Sequence, residues 1–207
     1  MSAASIVMLD FETTGLSPAM GERITEVAAL RICGGQIVER YVSLVNCGIR
    51  IPSFITQLTG ISQSMIDRAP PAEEVVPALL DFIGTDALAA HNASFDAKFL
   101  QAESALLDLQ PQYAQLICSL KLARRIYPRL TSYKLGALAS ALRIGFKGNA
   151  HRAEADAEVS ANLLIHIGAH LQERYGIAHI DPKLFARINQ LSAAKVPAFL
   201  EQQGARA

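Results

Sequence analysis

The stretch from Ile6 to Gly15, Ile-Val-Met-Leu-Asp-Phe-Glu-Thr-Thr-Gly, constrains this chain more than any other. Apolar residues run directly into Asp10 and Glu12. An uninterrupted apolar run suits a central strand covered on both faces. Side chains two apart on a strand point the same way, so Asp10 and Glu12 share a face. Two carboxylates at a buried strand end lose hydration and repel each other. A divalent cation would compensate both effects. An exposed strand end carrying ordinary acids would need none, and the stretch alone is compatible with either reading.

At 207 residues, 51% hydrophobic and 18% charged, the chain can bury a sizeable core as an α/β domain with an appendage. Lys plus Arg equals Asp plus Glu at 19 each, which excludes bulk attraction to a polyanion. A nucleic-acid partner would have to be met by a local patch or a metal site. Cys33, Cys47 and Cys118 are scattered and form no Cys-x-x-Cys pair. They are expected to be reduced thiols of a cytoplasmic protein. The N-terminus enters a strand almost at once, so no signal peptide is expected. No apolar run is of membrane-spanning length, and no membrane partner is expected.

The turn-rich Leu16–Gly21 leads to a second strand, Arg23–Cys33, and Gly34-Gly35 reads as a hairpin before a third strand from Gln36 to Val45. Strands one to three are thus expected to form an antiparallel meander. Short helices are expected from Pro52-Ser53 to Leu58 and after a Ser62 cap. Ala72–Ile83 has a helical pattern with Pro77 inside it, which predicts a kink or a start near Pro77. Asp86–His91 and Leu116–Ser119 are expected to be strands four and five, each followed by a helix, Ser94–Leu107 and Leu120–Ile126. Thr131-Ser132 signals the cap of a helix over Tyr133–Leu142. Gly145, Gly148 and Asn149 mark a loop, and Ala153 to Tyr175 is a long alanine-rich helix suited to close packing on a sheet. Residues 1–175 thus read as one domain. Residues 176–207 form an extension of two weak helices, opening at Ile180-Asp-Pro182 and broken at Pro197.

Two further groups carry chemistry. His91-Asn-Ala-Ser-Phe-Asp96 spans the end of strand four and the start of a helix. Ligands of open α/β sheets bind at the carboxyl ends of strands, where Asp10 and Asp96 would both lie. A first-turn acid answering the helix dipole explains Asp96 equally well. His91 and Asn92 read also as loop hydrogen-bonding groups, and Phe95 as core. In His151-Arg-Ala-Glu-Ala-Asp156 a spacing of five rotates the two side chains apart by roughly 140° on a helix. His151 is therefore expected in the preceding loop and Asp156 in the helix, a fixed acid beside a mobile imidazole. Glu154 and Glu158 read as surface charge.

In order and context, Asp10-Phe-Glu12-Thr-Thr-Gly15, Ile24-Thr-Glu26, His91-Asn-Ala-Ser-Phe-Asp96, Ser132-Tyr-Lys-Leu135 and His151 with Asp156 resemble the DnaQ-like 3′→5′ exonucleases of the DEDDh type. That family includes the proofreading epsilon subunit of bacterial DNA polymerase III and RNase T. The likeness covers about residues 5 to 170. It implies a ribonuclease H-like α/β fold, a mixed five-stranded sheet with helices on both faces. It implies two Mg²⁺ or Mn²⁺ ions held by Asp10, Glu12, Asp96 and Asp156, with His151 as general base. The product would be nucleoside 5′-monophosphate cut from the 3′ end of a single strand. By the same resemblance the backbone of Thr13, Thr14 and Gly15 contacts the terminal nucleotide. Leu16 wedges beside its base, Phe95 lies near base or sugar, and His91 and Asn92 support the site. Gly15 itself is expected to supply unusual backbone angles. Lys98, Lys134, Lys147 and Arg152 are basic residues that could meet the strand, or ordinary surface charges.

Three readings follow: DNA trimming in proofreading or repair, the same chemistry on RNA, and a non-catalytic module that keeps the fold. A DNA polymerase subunit is an implied partner, with Asp181 to Gln203 either its docking segment or a cover for the domain's own apolar surface. The sequence does not specify an oligomeric state.

Overall fold

The computed structural model describes residues 5–145, 151–177 and 181–205. The Gly148-Asn149 loop, Lys147 and Ile180 singled out above lie outside them. The apolar run becomes strand β1 (Ile6–Thr13), paired antiparallel with β2 (Ile24–Cys33), which pairs antiparallel with β3 (Gln36–Leu44). Gly34 and Gly35 both have positive φ, as the tight turn between β2 and β3 demands. Strands β4 (Ala87–Ala90) and β5 (Leu116–Cys118) run parallel to β1, giving the order β3-β2-β1-β4-β5. This is the expected mixed five-stranded sheet with its antiparallel meander.

Helices cover both faces. Alternate residues of β1 divide between two cores, as period-two side chains must. Val7, Leu9 and Phe11 pack with α3 (Ala72–Ile83) and α4 (Ser94–Ala105) through Val76, Leu79, Phe99 and Leu100. Ile6 and Met8 face the other core, with α5 (Ser119–Ile126), α6 (Leu135–Ala141) and α7 (Ala153–Tyr175). Ala153, Ala157 and Ala161 recur every four residues along α7 and are fully buried, so the helix axis lies close to the sheet. Short helices α1 (Ser53–Thr59) and α2 (Gln63–Ile66) precede α3, and the Ser62 hydroxyl accepts from the Met65 amide at 3.3 Å as the N-cap of α2.

Some expectations need correction. Helix α3 begins at Ala72, with Pro77 in its second turn, so the proline does not set the start. Burial of Val75, Val76, Leu79 and Ile83 outweighs the one backbone bond it forgoes. Helix α6 begins at Leu135 rather than Tyr133, and Ser132 Oγ accepts from the Lys134 amide one turn earlier. In the C-terminal segment, α8 (Pro182–Gln190) is capped by Asp181, whose carboxylate accepts from the Lys183 amide. Pro197 does not break the last helix: it sits in the first turn of α9 (Val196–Gly204), where its missing N–H has no partner to lose. Phe185, Ile188, Val196 and Leu200 are buried in the same core as α7. The Asn189 side chain holds both the amide (2.7 Å) and the carbonyl (3.2 Å) of Cys118, closing part of the outer edge of β5. All three cysteines are free thiols. No helix among the described residues is long and apolar enough to cross a membrane.

Candidate active site

Asp10 and Glu12 continue the face of β1 set by Ile6 and Met8, so they look toward the start of α7. Asp156, in the first turn of α7, meets them there: carboxylate oxygens of Asp10, Glu12 and Asp156 all lie within 4.8 Å of one another. Asp96 arrives from the opposite direction. β4 ends at Ala90, a short turn follows, and Asp96 stands in the first turn of α4. Its Oδ1 accepts from the Phe11 amide at 3.2 Å, between the two acids of β1. Four carboxylates from three elements thus converge at one end of the sheet.

The electrostatics follow from burial and crowding. Burial, then Asp96, Glu12 and Asp156, push the Asp10 carboxyl well above the ordinary carboxylate range. Glu12 is pushed up to about 8, chiefly by burial and then by Asp156 and Glu26, with Arg152 opposing. Asp96 rises to about 7 through burial, although the Phe11 N–H opposes the shift. Asp156 rises as well, again through burial, with the His151 amide pulling the other way. Such a group is fully ionised near neutrality only with positive charge beside it. The donors are oxygens only, the ligand set of a hard cation such as Mg²⁺ or Mn²⁺.

His151 precedes α7 by two residues, has φ 63°, and is exposed. Its backbone N–H donates to Asp156 Oδ2 at 3.0 Å, so the acid holds the histidine's backbone beside the cluster. Sequence reasoning missed what anchors this segment to the sheet. Glu26 lies opposite Glu12 in the β1–β2 register and is buried. It accepts from the Arg152 guanidinium at 2.6 Å and from the Ala153 amide at 2.9 Å. Two glutamates facing across strands would repel; Arg152 offsets this and positions the start of α7. Arg152 is therefore an internal ion-pair partner and not a free contact for a strand. The available signal was an acid inside an otherwise apolar strand. A register shift after Glu12 marks a bulge where β1 turns toward the site.

The model of a family described as exonuclease matches residues 7–164. The chain belongs to this exonuclease family. It is 36% identical over 174 residues to the DNA polymerase III subunit epsilon of Aquifex aeolicus, covering 84% of this chain and 85% of that protein. It is also 36% identical over 195 residues to the PolC-type DNA polymerase III of Caldanaerobacter subterraneus subsp. tengcongensis, covering 93% of this chain but only 14% of the polymerase. Among solved structures, exonuclease X in complex with 5′ overhanging duplex DNA superposes with a TM-score of 0.70 at 28% identity, over 89% of this chain and 99% of that one. The five-stranded sheet and its surrounding helices match that exonuclease fold.

The other residues singled out in the sequence lie at the end of β1 and in the loop after it, and at the junction of β4 with α4. Thr13 and Thr14 are buried and their hydroxyls are used internally. Thr13 Oγ1 donates to the Gly15 carbonyl at 2.6 Å, and Thr14 Oγ1 donates to Glu22 at 2.6 Å while accepting from the Arg23 amide. Gly15 supplies no unusual angles; what lies against it is the movable end of the Glu22 side chain. A Cβ there would lie 2.5 Å from the Glu22 carboxyl carbon, and its φ is not positive. Leu16 is 81% exposed. Lys98 ties its carbonyl to α4 at 2.6 Å and lies 5.0 Å from the centre of the Phe95 ring, so Leu16, Lys98 and Phe95 form one surface. His91 is held on both sides: Nε2 donates to the Tyr133 carbonyl at 3.2 Å, leaving Nδ1 to accept from the Ser119 hydroxyl at 2.9 Å. Burial lowers its pKa, consistent with a neutral ring. Asn92 follows with φ 70° and turns the chain into α4. Lys134, at the N-cap of α6, has no ion pair among the described residues. A second ion pair, half-buried Arg23 with buried Glu103 at 2.8 Å, fastens the loop after β1 to α4 and was also missed.

Proposed function

We propose that the protein is a metal-dependent 3′→5′ exonuclease that releases nucleoside 5′-monophosphates from single-stranded DNA. The convergence of Asp10, Glu12 and Asp156, with Asp96 beside them, carries this reading. Asp10, Glu12 and Asp156 would hold one divalent ion; Asp10 and Asp96 would hold a second. Bound there, two such ions supply charge neutralisation for an in-line phosphoryl displacement. The chain's own residues do the rest. The exposed His151 imidazole takes the proton of the attacking water as general base. Asp156 orients it through the backbone bond. The segment from Thr13 to Leu16 receives the terminal nucleotide, with its backbone braced from within by Thr13, Thr14 and Glu22. Leu16 and Phe95 offer apolar contact to a base, which tolerates any sequence.

DNA is favoured by the curated relative whose length this chain largely spans, a DNA polymerase III subunit. Association with a polymerase is part of the same reading, as is a cytoplasmic location. We read residues 176–207 as an extension that serves the domain itself, supported by the burial of Phe185, Ile188, Val196 and Leu200.

The test is incubation of 5′-labelled single-stranded DNA, duplex DNA and RNA with Mg²⁺ or Mn²⁺, with Asp156→Ala as blank. The expected result is a ladder shortening from the 3′ end, fastest on single-stranded DNA and absent in the blank. Equal trimming by Asp156→Ala, or none by the parent, would refute the proposal.

A further inference from the structure

Beyond the turn from β4 into α4, along β5 and beside α5 and α8, lies a concavity of about 480 Å³ that the reaction above does not use. Asn92 and Ser94 form one wall, where β4 passes into α4. Gln115 on β5's approach, Lys121 and Arg124 on α5, and Asn189 on α8 form the others. No residue lining it is acidic. In a chain with 19 acids and 19 bases that is a local excess of positive charge.

Lys121 and Arg124 are three residues apart on α5 and share a face. Among the described residues neither side chain has an ion-pair or hydrogen-bond partner; Arg124 only stacks over the Tyr133 ring at 5.7 Å. Arg23, Arg31, Arg40 and Arg152, by contrast, each meet a carboxylate. Lys121 and Arg124 are exposed at the rim of the concavity and are placed to receive an anion from outside.

The concavity adjoins the turn from β4 into α4 that carries Asp96: Asn92, Ala93 and Ser94 line it. His91 bonds Ser119, the first residue of α5, and the Tyr133 carbonyl, while its neighbour Asn92 lines the cleft. From β1 across β4 to β5 is two strand spacings, roughly 10 Å. A strand leaving the carboxylates along this end of the sheet reaches Lys121 and Arg124 within a short run of nucleotides. We infer that this cleft binds the phosphodiester backbone of the substrate strand on the 5′ side of the scissile bond, with Lys121 and Arg124 as its phosphate contacts. The inference rests on the exonuclease reading for its substrate class, but its test does not need catalysis.

Binding of fluorescein-labelled dT8 is followed by anisotropy in chelator across 50 to 200 mM salt. Each phosphate contact to a single strand adds about 0.7 to the slope of log K against log salt. The Lys121→Gln/Arg124→Gln protein is expected to lose about 1.4 of that slope, so its affinity falls roughly sevenfold less than the parent's over this range. The charge-keeping Lys121→Arg/Arg124→Lys protein should retain the parental slope, which separates charge from folding. An unchanged slope in the glutamine variant, or an equal loss in the charge-keeping one, overturns the inference. Adding Mn²⁺ to the same samples separates the two proposals: a slope change without trimming by the parent supports the cleft and counts against the exonuclease chemistry.

Discussion

Glu12→Gln should stabilise the metal-free protein at alkaline pH. In the folded protein Glu12 titrates at about 8 against an ordinary 4.5, through burial and then the charges of Asp156 and Glu26. A carboxyl raised on folding binds its proton more tightly in the folded state. Its contribution to stability is therefore full below pH 4.5 and is lost as pH rises through 8. At 1.4 kcal/mol per unit, an isolated group would forfeit about 4 kcal/mol by pH 8. Relaxation and the partial exposure of Glu12 reduce this to roughly 2–4 kcal/mol, or about 5–15 °C in Tm for a chain of this size. The neutral amide escapes the loss. Thermal unfolding of parent and variant in chelator should agree near pH 5 and diverge by that amount at pH 8.5, the variant being the more stable. Saturating Mn²⁺ should reverse the order, because a ligand that binds only the folded state adds stability where its donors are intact. A constant difference across pH, or a variant less stable than the parent at pH 8.5 in chelator, would show that Glu12 is not held in a crowded, desolvated carboxylate cluster.

Asp10→Ala should abolish metal-dependent release of 3′ nucleotides while leaving the far-ultraviolet circular dichroism unchanged. His151→Ala should lower kcat by roughly 10²-fold without loss of metal-linked stabilisation; an unaltered rate from pH 6 to 8.5 would remove His151 as the base. Arg152→Ala strands the buried Glu26 and should cost about 2 kcal/mol, less than a fully buried pair because Arg152 is 40% exposed. It should also reduce kcat, since the start of α7 loses its anchor; urea denaturation and single-turnover kinetics read the two effects separately. Gly15→Ala must displace Glu22 from Thr14, and a destabilisation of about 1 kcal/mol is expected in the same denaturation assay.

The legible parts of this molecule are those written in local pattern. The apolar run ending in acids two apart is strand β1 with both acids on one face, and the alanine spacing of α7 is the stripe on which it lies against the sheet. The strand-turn-helix around His91 and Asp96 shows why an acid so far along the chain reaches the end of β1: both sit where neighbouring parallel strands stop. The five-residue interval between His151 and Asp156 was read correctly as loop and helix because it fits no helical face. What stayed hidden is pairing at a distance. Glu26 and Arg152 are 126 residues apart, and nothing near Arg152 marks it as the partner of a buried acid. The contact at Gly15 likewise comes from the Glu22 side chain folding back against it, which no backbone preference reveals. Pro197 looked like a stop because a proline both ends and begins helices, and only the packing of Val196 and Leu200 decides which.

The most direct measurement of the central claim is anomalous diffraction from crystals soaked in Mn²⁺ with a nucleoside 5′-monophosphate. Paired peaks are predicted, one bounded by Asp10, Glu12 and Asp156 and the other between Asp10 and Asp96, with the phosphate against both. Manganese density elsewhere on the molecule and none among these carboxylates would contradict it.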